Sequence, residues 1–491
     1  MDVISNLPPL PLPSPLIPDA FRAFLGSIGF SEKGRALAPA VFVVCTIMSW
    51  PFALLLRYVK SATVRMTLSA LVGTLIMFAV YGLEMTGVFV SVVTAFYLPC
   101  RYRLMKPGMS TFTSLAILGF IHYDAMISGT ATDRMSHTGT LMVMVAKISM
   151  FAYHVDDGLK LSRGVTLSTH SHIADHRKKL AVNIKEVSLF GFLVYMFEFQ
   201  GSLVGPLFSY AEYIDFYNSR GDYKNVRKVP FAYQSLKAAS RASAILGSFV
   251  FLSKQRWFGA ETLLTGWFLE LPFWNMLLVS PFLVAGCRLA YYAVWALSEV
   301  ACTLSGLSFV PPNRFTRGRN CNLRLFELSP NFNSVTNNWN IRISDLWLKQ
   351  CIYQRVETAP KGINRKGLAN FTTKLTSALW HGWYPGYCIS FLSLGLCNWS
   401  ETVLRKKLHP RIPEWFRNSR IATVIGWFHT WWSVNIFFAP FLLLTWEKTG
   451  KFYSSIFWCG HVYHLGIIIL CSLLPRAIEK PKSQLYTFHD R

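Results

Sequence analysis

Two residues in this chain have the side-chain types that move a proton and steady a developing oxyanion, His381 and Asn340. His381 stands in the apolar, aromatic run Phe371-Thr-Thr-Lys-Leu-Thr-Ser-Ala-Leu-Trp-His-Gly-Trp-Tyr-Pro-Gly-Tyr387. A titratable group at membrane depth is costly to bury, and by default it marks a functional site. Imidazole takes a proton from an alcohol near neutral pH. The carboxamide N–H of Asn340 can donate to a carbonyl oxygen that gains charge. Together they suit acyl transfer from a thioester to a hydroxyl. No acyl-enzyme is needed, because a thioester is already activated. The plainer alternative is a satisfied core histidine and a helix-capping asparagine. Gly382, Pro385 and Gly386 loosen the backbone after His381 and argue for a cavity there rather than an unbroken helix.

The elements that must position these groups follow from composition. Of the 491 residues, 52% are hydrophobic and only 15% charged, against roughly 25% charged in ordinary soluble proteins. Mean hydropathy is +0.32. Apolar runs recur from residue 36 to residue 475, which excludes a soluble globular fold. We expect an all-α, polytopic integral membrane protein with roughly eleven transmembrane helices, joined by interfacial amphipathic helices around a central reaction chamber. The net charge of +24 lies in short loops, as the positive-inside rule requires, and it can also meet anionic headgroups or a phosphorylated cosubstrate. No nucleic-acid-binding motif is present. The ten cysteines form no C-x-x-C pair and read as small core residues.

Residues 1–35 are expected to form a Pro-rich tail and interfacial segment, 36–475 the membrane domain, and 476–491 a short basic tail. Spans are expected near 36–56, 66–82, 85–99, 110–128, 139–155, 187–209, 240–253, 262–285, 286–309, 371–397, 420–446 and 455–475, with 83–99 and 286–309 interrupted. The segment Asn337–Val356 is too polar to cross a bilayer. Ile343, Leu346, Trp347 and Cys351 share one helical face, and Asp345 and Lys349 form an i,i+4 pair on another. It reads as an amphipathic helix at the interface, with Trp339, Trp347 and Tyr353 at that depth. Glu84, Asp124, Glu198 and Glu299 lie in or near apolar runs, where internal pairing is the simplest account. Asp156-Asp157-Gly158 is either a solvated helix end or part of the site. Trp380, Trp383, Tyr384 and Tyr387 either line an acyl tunnel or pack as an aromatic core.

The stretch Trp339-Asn340-Ile-Arg-Ile-Ser-Asp-Leu-Trp347-Leu-Lys-Gln-Cys-Ile-Tyr353 resembles the first signature of the membrane-bound O-acyltransferase superfamily. Ser377-Ala-Leu-Trp-His381-Gly-Trp-Tyr-Pro385-Gly386-Tyr resembles its second. Phe199–Tyr213, with Gly205 and Pro206, and Arg288–Gly306, with Glu299, are similar to segments of the lysophospholipid acyltransferase branch. The Phe-Tyr-x-Asp-Trp-Trp-Asn-like signature of the neutral-lipid branch is absent. The chain also departs at Ile341-Arg-Ile-Ser, where several lysophospholipid members are less basic, which bears on acyl or headgroup preference.

The resemblance implies a multi-pass enzyme of the endoplasmic reticulum membrane that uses acyl-CoA to reacylate a lysophospholipid. It carries the family's histidine onto His381 and its asparagine onto Asn340. Substrate binding is assigned to Trp339, Trp380, Tyr384, Gly205, Pro206 and Glu299. Acyl-CoA is a cosubstrate and no cofactor or metal is implied. The partners are the two substrates and membrane lipids, without nucleic acid, and a homo-oligomer is compatible with the sequence. A sterol, neutral-lipid or protein acyltransferase on the same scaffold is the first rival. A transporter relaying protons through intramembrane His and acidic groups is the second, although no internal repeat supports it.

Overall fold

A computed structural model describes residues 37–127, 138–168, 170–358 and 365–475, so both expected tails lie outside the described residues. The architecture is helical. The principal helices are α1 (Leu37–Tyr58), α2 (Ala62–Tyr102), α3 (Pro107–Ile127), α4 (Thr138–Ser162), α5 (Ser171–Leu180), α6 (Leu189–Met196), α7 (Tyr210–Tyr217) and α8 (Ala232–Ser253). There follow α9 (Phe273–Cys287), α10 (Leu289–Ser305), the π-helical α11 (Ile343–Tyr353), α12 (Arg365–His381), α13 (Pro385–Lys407), α14 (Arg420–Leu443), α15 (Trp446–Ser455) and α16 (Cys459–Leu473). A two-residue antiparallel pairing, Phe309–Val310 with Arg314–Phe315, closes the turn after α10.

Four stretches are long and apolar enough to cross a membrane: Val41–Tyr58, Ala62–Tyr102, Thr138–Ser162 and Phe273–Ser305. A fifth counts if α15 and α16, bent by 71°, act as one broken span. The expected number of spans is therefore not matched by length and composition among the described residues. The expected spans 66–82 and 85–99 are two helical stretches of α2 that meet at a kink, where Gly82 leaves helical geometry (φ 83°, ψ 177°). The expected span 371–397 divides into α12 and α13, because Gly382 leaves helical geometry and Pro385 starts the next helix at its first turn.

The described residues form two compact units. The first takes the chain up to Gln255 together with Arg288–Asn322 and Trp339–Trp383. Here α10 packs on α1 and α8, α4 on α3, and α11 on both α4 and α12. The second takes Arg256–Cys287, Leu323–Asn338 and the chain from Tyr384. In it α13 packs on α14 and α16, and α14 on α9. Its interior holds His464, bonded to Ser400 Oγ (2.7 Å) and Ser433 Oγ (3.0 Å).

Residues 187–209 are not a span. Ser188 caps the two-turn α6, and the chain then runs buried and non-helical through Phe197–Ser209. Irregular backbone at membrane depth is tolerated only where protein surrounds it and its polar groups find partners. Lys147 of α4 supplies much of that. Its ammonium, fully buried, donates to Glu198 Oε1 (2.9 Å), Ser202 Oγ (2.7 Å) and the Tyr195 carbonyl (2.9 Å). The Gly201 N–H completes the Glu198 carboxylate at 2.9 Å. Internal pairing thus holds for Glu198, and for Glu299, whose carboxylate meets Arg241 (2.6 Å) and Arg319 (3.6 Å). It does not hold for Glu84 and Asp124, which lie on exposed faces.

Removing one member of a buried pair strands the other charge, at a cost of about 3–5 kcal/mol. Glu198→Ala should lower the unfolding temperature of the purified protein in detergent by that equivalent. The double variant Lys147→Met/Glu198→Leu should recover most of the loss, since both desolvation penalties leave together.

Candidate active site

His381 is the last residue of α12, half-buried, with Trp380 edge-on to its ring at 5.0 Å. What fixes it is the residue on either side. Trp380 is 4% exposed and donates its indole N–H to the Met142 carbonyl (2.8 Å). Its ring lies 5.4 Å from that of Trp347 on α11, whose own N–H donates to Ser149 Oγ (2.8 Å). Gly382 sits at φ +122°, and a Cβ there would come within 3.1 Å of His122 Cγ. The His122 Nε2–H donates to the Trp380 carbonyl at 3.2 Å; since a carbonyl only accepts, Nε2 carries the proton. Trp383 then ties the exit to α3 through the Gly119 carbonyl (2.6 Å).

Asn340 stands just ahead of α11, half-buried, at φ +46°. Asparagine is one of the few residues that adopt this left-handed conformation readily. Its carbonyl accepts from the Ser344 N–H (2.9 Å), and the next N–H, of Ile341, donates to the Asn320 carbonyl (2.7 Å). Arg342 binds the segment to the Gly-Pro stretch. Its Nε donates to the Leu207 carbonyl (2.7 Å), its Nη2 to Glu212 (2.6 Å), and its guanidinium lies 5.1 Å from the Phe208 ring centroid. Glu212 also closes a capping box with Ser209. Burial works against the Glu212 charge, yet Arg342 and the Ser209 backbone N–H hold its carboxyl below the usual carboxylate range. The basic residue at 342 is therefore spent inside the protein and carries no argument about headgroup preference.

The far end of α11 is anchored in the same way. Arg355 grips both oxygens of buried Asp157 (2.8 and 2.7 Å), and Arg177 binds the same carboxylate. Asp157 is thus a structural clamp, while Asp156 pairs with Lys160 (2.7 Å). The apolar face expected for this segment is present. Ile343, Leu346, Trp347 and Cys351 are buried, and Asp345 meets Lys349 at 3.5 Å on the exposed face. Trp347 is 0% exposed and packed in the core of the first unit, so protein covers its ring.

The other expected site residues fall as follows. Trp339 is half-buried beside an aromatic group on α10, edge-on to Tyr291 (5.9 Å), Tyr292 (5.7 Å) and Trp295 (4.9 Å). Gly205 (φ +86°) and Pro206 are buried, and a Cβ on Gly205 would meet the Asn320 Nδ2 at 2.8 Å. Glu299 lies buried between its two arginines. These residues, with His381, Asn340 and Trp380, belong to the first unit. Tyr384 belongs to the second, where it is half-buried and precedes Pro385 at the start of α13.

Three residues escaped the sequence reading: His122, Arg342 as a clamp, and Asn320. His122 had a usable signal, since it is a lone imidazole in the apolar run 110–128, the same argument that singled out His381. The partners of Arg342 and Asn320 lie far away in sequence and left none.

The chain matches the membrane-bound O-acyltransferase family over residues 109–443. It is also similar, nearly end to end, to curated relatives. Membrane-bound glycerophospholipid O-acyltransferase 1 of Mus musculus is 26% identical over 478 residues, covering 91% of this chain and 92% of that protein. Lysophospholipid acyltransferase 1 of Arabidopsis thaliana is 24% identical over 473 residues, covering 93% and 97%. Lysophospholipid acyltransferase of Schizosaccharomyces pombe is 26% identical over 447 residues, covering 86% and 84%. The family match takes in more than half of the chain and contains both His381 and Asn340, with the anchors that hold them: the chain belongs to the membrane-bound O-acyltransferase family.

Proposed function

We propose that the protein transfers a fatty acyl chain from acyl-CoA to the free glycerol hydroxyl of a lysophospholipid, within the endoplasmic reticulum membrane. What carries the reading is the full-length similarity to relatives named for this class of acceptor. The way the His381 and Asn340 segments are tied together through Trp347 and Trp380 supports it.

His381 takes the hydroxyl proton as the glycerol oxygen attacks the thioester carbonyl. Charge gathers on the carbonyl oxygen, and the Asn340 carboxamide N–H donates to it. The C–S bond breaks as the intermediate collapses, and the proton on His381 passes to the departing thiolate. The products are a diacyl phospholipid and free CoA thiol, and the imidazole returns to its starting state. Burial of the thioester keeps water from competing with the glycerol hydroxyl.

Incubation of the purified protein with labelled acyl-CoA and a panel of lysophospholipids, sterols and peptides tests the reading. Label should enter diacyl phospholipid; label confined to sterol ester or peptide would transfer the assignment to another branch of the family. His381→Ala should lower kcat about 10²–10⁴-fold, the usual worth of a general base, with an unchanged melting temperature. Asn340→Gly keeps the left-handed backbone free of strain and removes only the carboxamide, so it should lower kcat about 10²–10³-fold. Gly382→Ala forces a Cβ against His122 at a φ that alanine resists. It should leave the protein folded but displace His381, lowering kcat about 10²-fold; an unaltered kcat would mean that the break after α12 does not position the imidazole.

A further inference from the structure

Asn320 is 2% exposed, yet neither its Nδ2 nor its Oδ1 has a hydrogen-bond partner in the protein. A buried amide left unpaired loses its water without compensation, which costs about 1–3 kcal/mol for each group. Native interiors rarely carry such a loss unless a ligand or water completes the group. The residue does not lie in an idle corner. Its backbone carbonyl accepts the Ile341 N–H at 2.7 Å, directly beside Asn340. Its amide lies against Gly205, where a Cβ would stand 2.8 Å from Nδ2, so only glycine leaves the carboxamide room. Arg319, the preceding residue, is held by Glu299.

We propose that the Asn320 carboxamide is a substrate-binding group for the glycerol backbone of the lysophospholipid. This rests on the reading given under Proposed function and adds a residue to it. The carboxamide offers one donor edge and one acceptor edge side by side. A lysophospholipid matches both: the ester carbonyl or phosphate oxygen accepts from Nδ2, and in the waiting complex the free hydroxyl donates to Oδ1 until its one proton turns to His381 for transfer. The secondary amides of an acyl-CoA arm match less well, because a trans amide points its N–H and C=O in opposite directions and one carboxamide cannot meet both. By holding the glycerol at Asn320, next to the Asn340 segment, the protein retains the acceptor lipid equally before and during transfer, which acts on KM and not on kcat.

Two variants test this. Asn320→Leu removes both polar edges at similar size, and Asn320→Ala does so without risk of overpacking. Each is compared with the wild type in three readouts: KM for lysophospholipid, KM for acyl-CoA, and the rise in melting temperature on adding lysophospholipid alone. The expected result is a lysophospholipid KM raised about tenfold or more, with kcat and the acyl-CoA KM within about threefold. The lysophospholipid-induced thermal shift should be lost in both variants, and the ligand-free melting temperature of Asn320→Leu should be no lower than the wild type, since no hydrogen bond of the amide within the protein is removed. An unchanged lysophospholipid KM and thermal shift in both variants would overturn the proposal while leaving the transferase reading intact. So would a lower ligand-free melting temperature of Asn320→Leu with loss of activity in proportion. If the wild type shows no acyl transfer but its lysophospholipid-induced shift still depends on Asn320, the transferase reading fails and the binding role stands.

Discussion

Arg342 and Arg355 flank α11, and each is bound to a carboxylate on another element, Glu212 of α7 and Asp157 of α4. The clamp decides where Asn340 and Trp347 can be. Buried ion pairs add little net stability, because the desolvation of both charges offsets their attraction. They do discriminate sharply between placements. A shift of α11 by one residue would strand two guanidinium groups and two carboxylates, each several kcal/mol out of balance. Bidentate geometry at Asp157 adds direction to that discrimination. The π-helical winding of α11 carries an intrinsic strain that sequences rarely accept without a positional reason. Here the reason is visible: Ile343, Leu346, Trp347, Cys351 and Ile352 all reach the core while both arginines reach their acids.

The same logic runs through the first unit. The polar groups around the irregular segment come in completed sets. Lys147 has three acceptors, Glu198 has an ammonium and a backbone N–H, and the indole N–H groups of Trp347 and Trp380 each have an oxygen. This is what allows residues 197–209 to run without helical hydrogen bonds and still be buried. Against that background the Asn320 amide is conspicuous, since among the described residues it is the side chain with two buried polar atoms that lack a hydrogen-bond partner.

Candidates for the site and part of the fold could be read from residue order. His381 and Asn340 stood out by residue type, and the break after His381 and the apolar face of α11 were legible from local spacing. The span 187–209 was misread because hydropathy sums apolar residues without asking who pairs with Glu198. Lys147, its partner, lies 51 residues away in the chain. What covers Trp347 was not legible for a related reason. An amphipathic pattern reveals that one face is covered, but lipid, water boundary and protein core cover it equally well as far as the pattern shows. Arg342 was read as bearing on acyl or headgroup preference because the sequence cannot reveal that Glu212 and Leu207 come to meet it.

Both residues proposed to carry the chemistry sit at helix ends: His381 closes α12, and Asn340 stands before α11. Helix ends free a side chain from the crowding of its own turns, but they also fray, and a catalytic group displaced by about 1 Å can lose 10²-fold in rate. The protein answers by anchoring the residues next door. Trp380 is sunk into the core beside His381, and Arg342 is locked to Glu212 two residues beyond Asn340. A rigid neighbour fixes the backbone from which each of these side chains projects, and so sets where the imidazole and the carboxamide can reach.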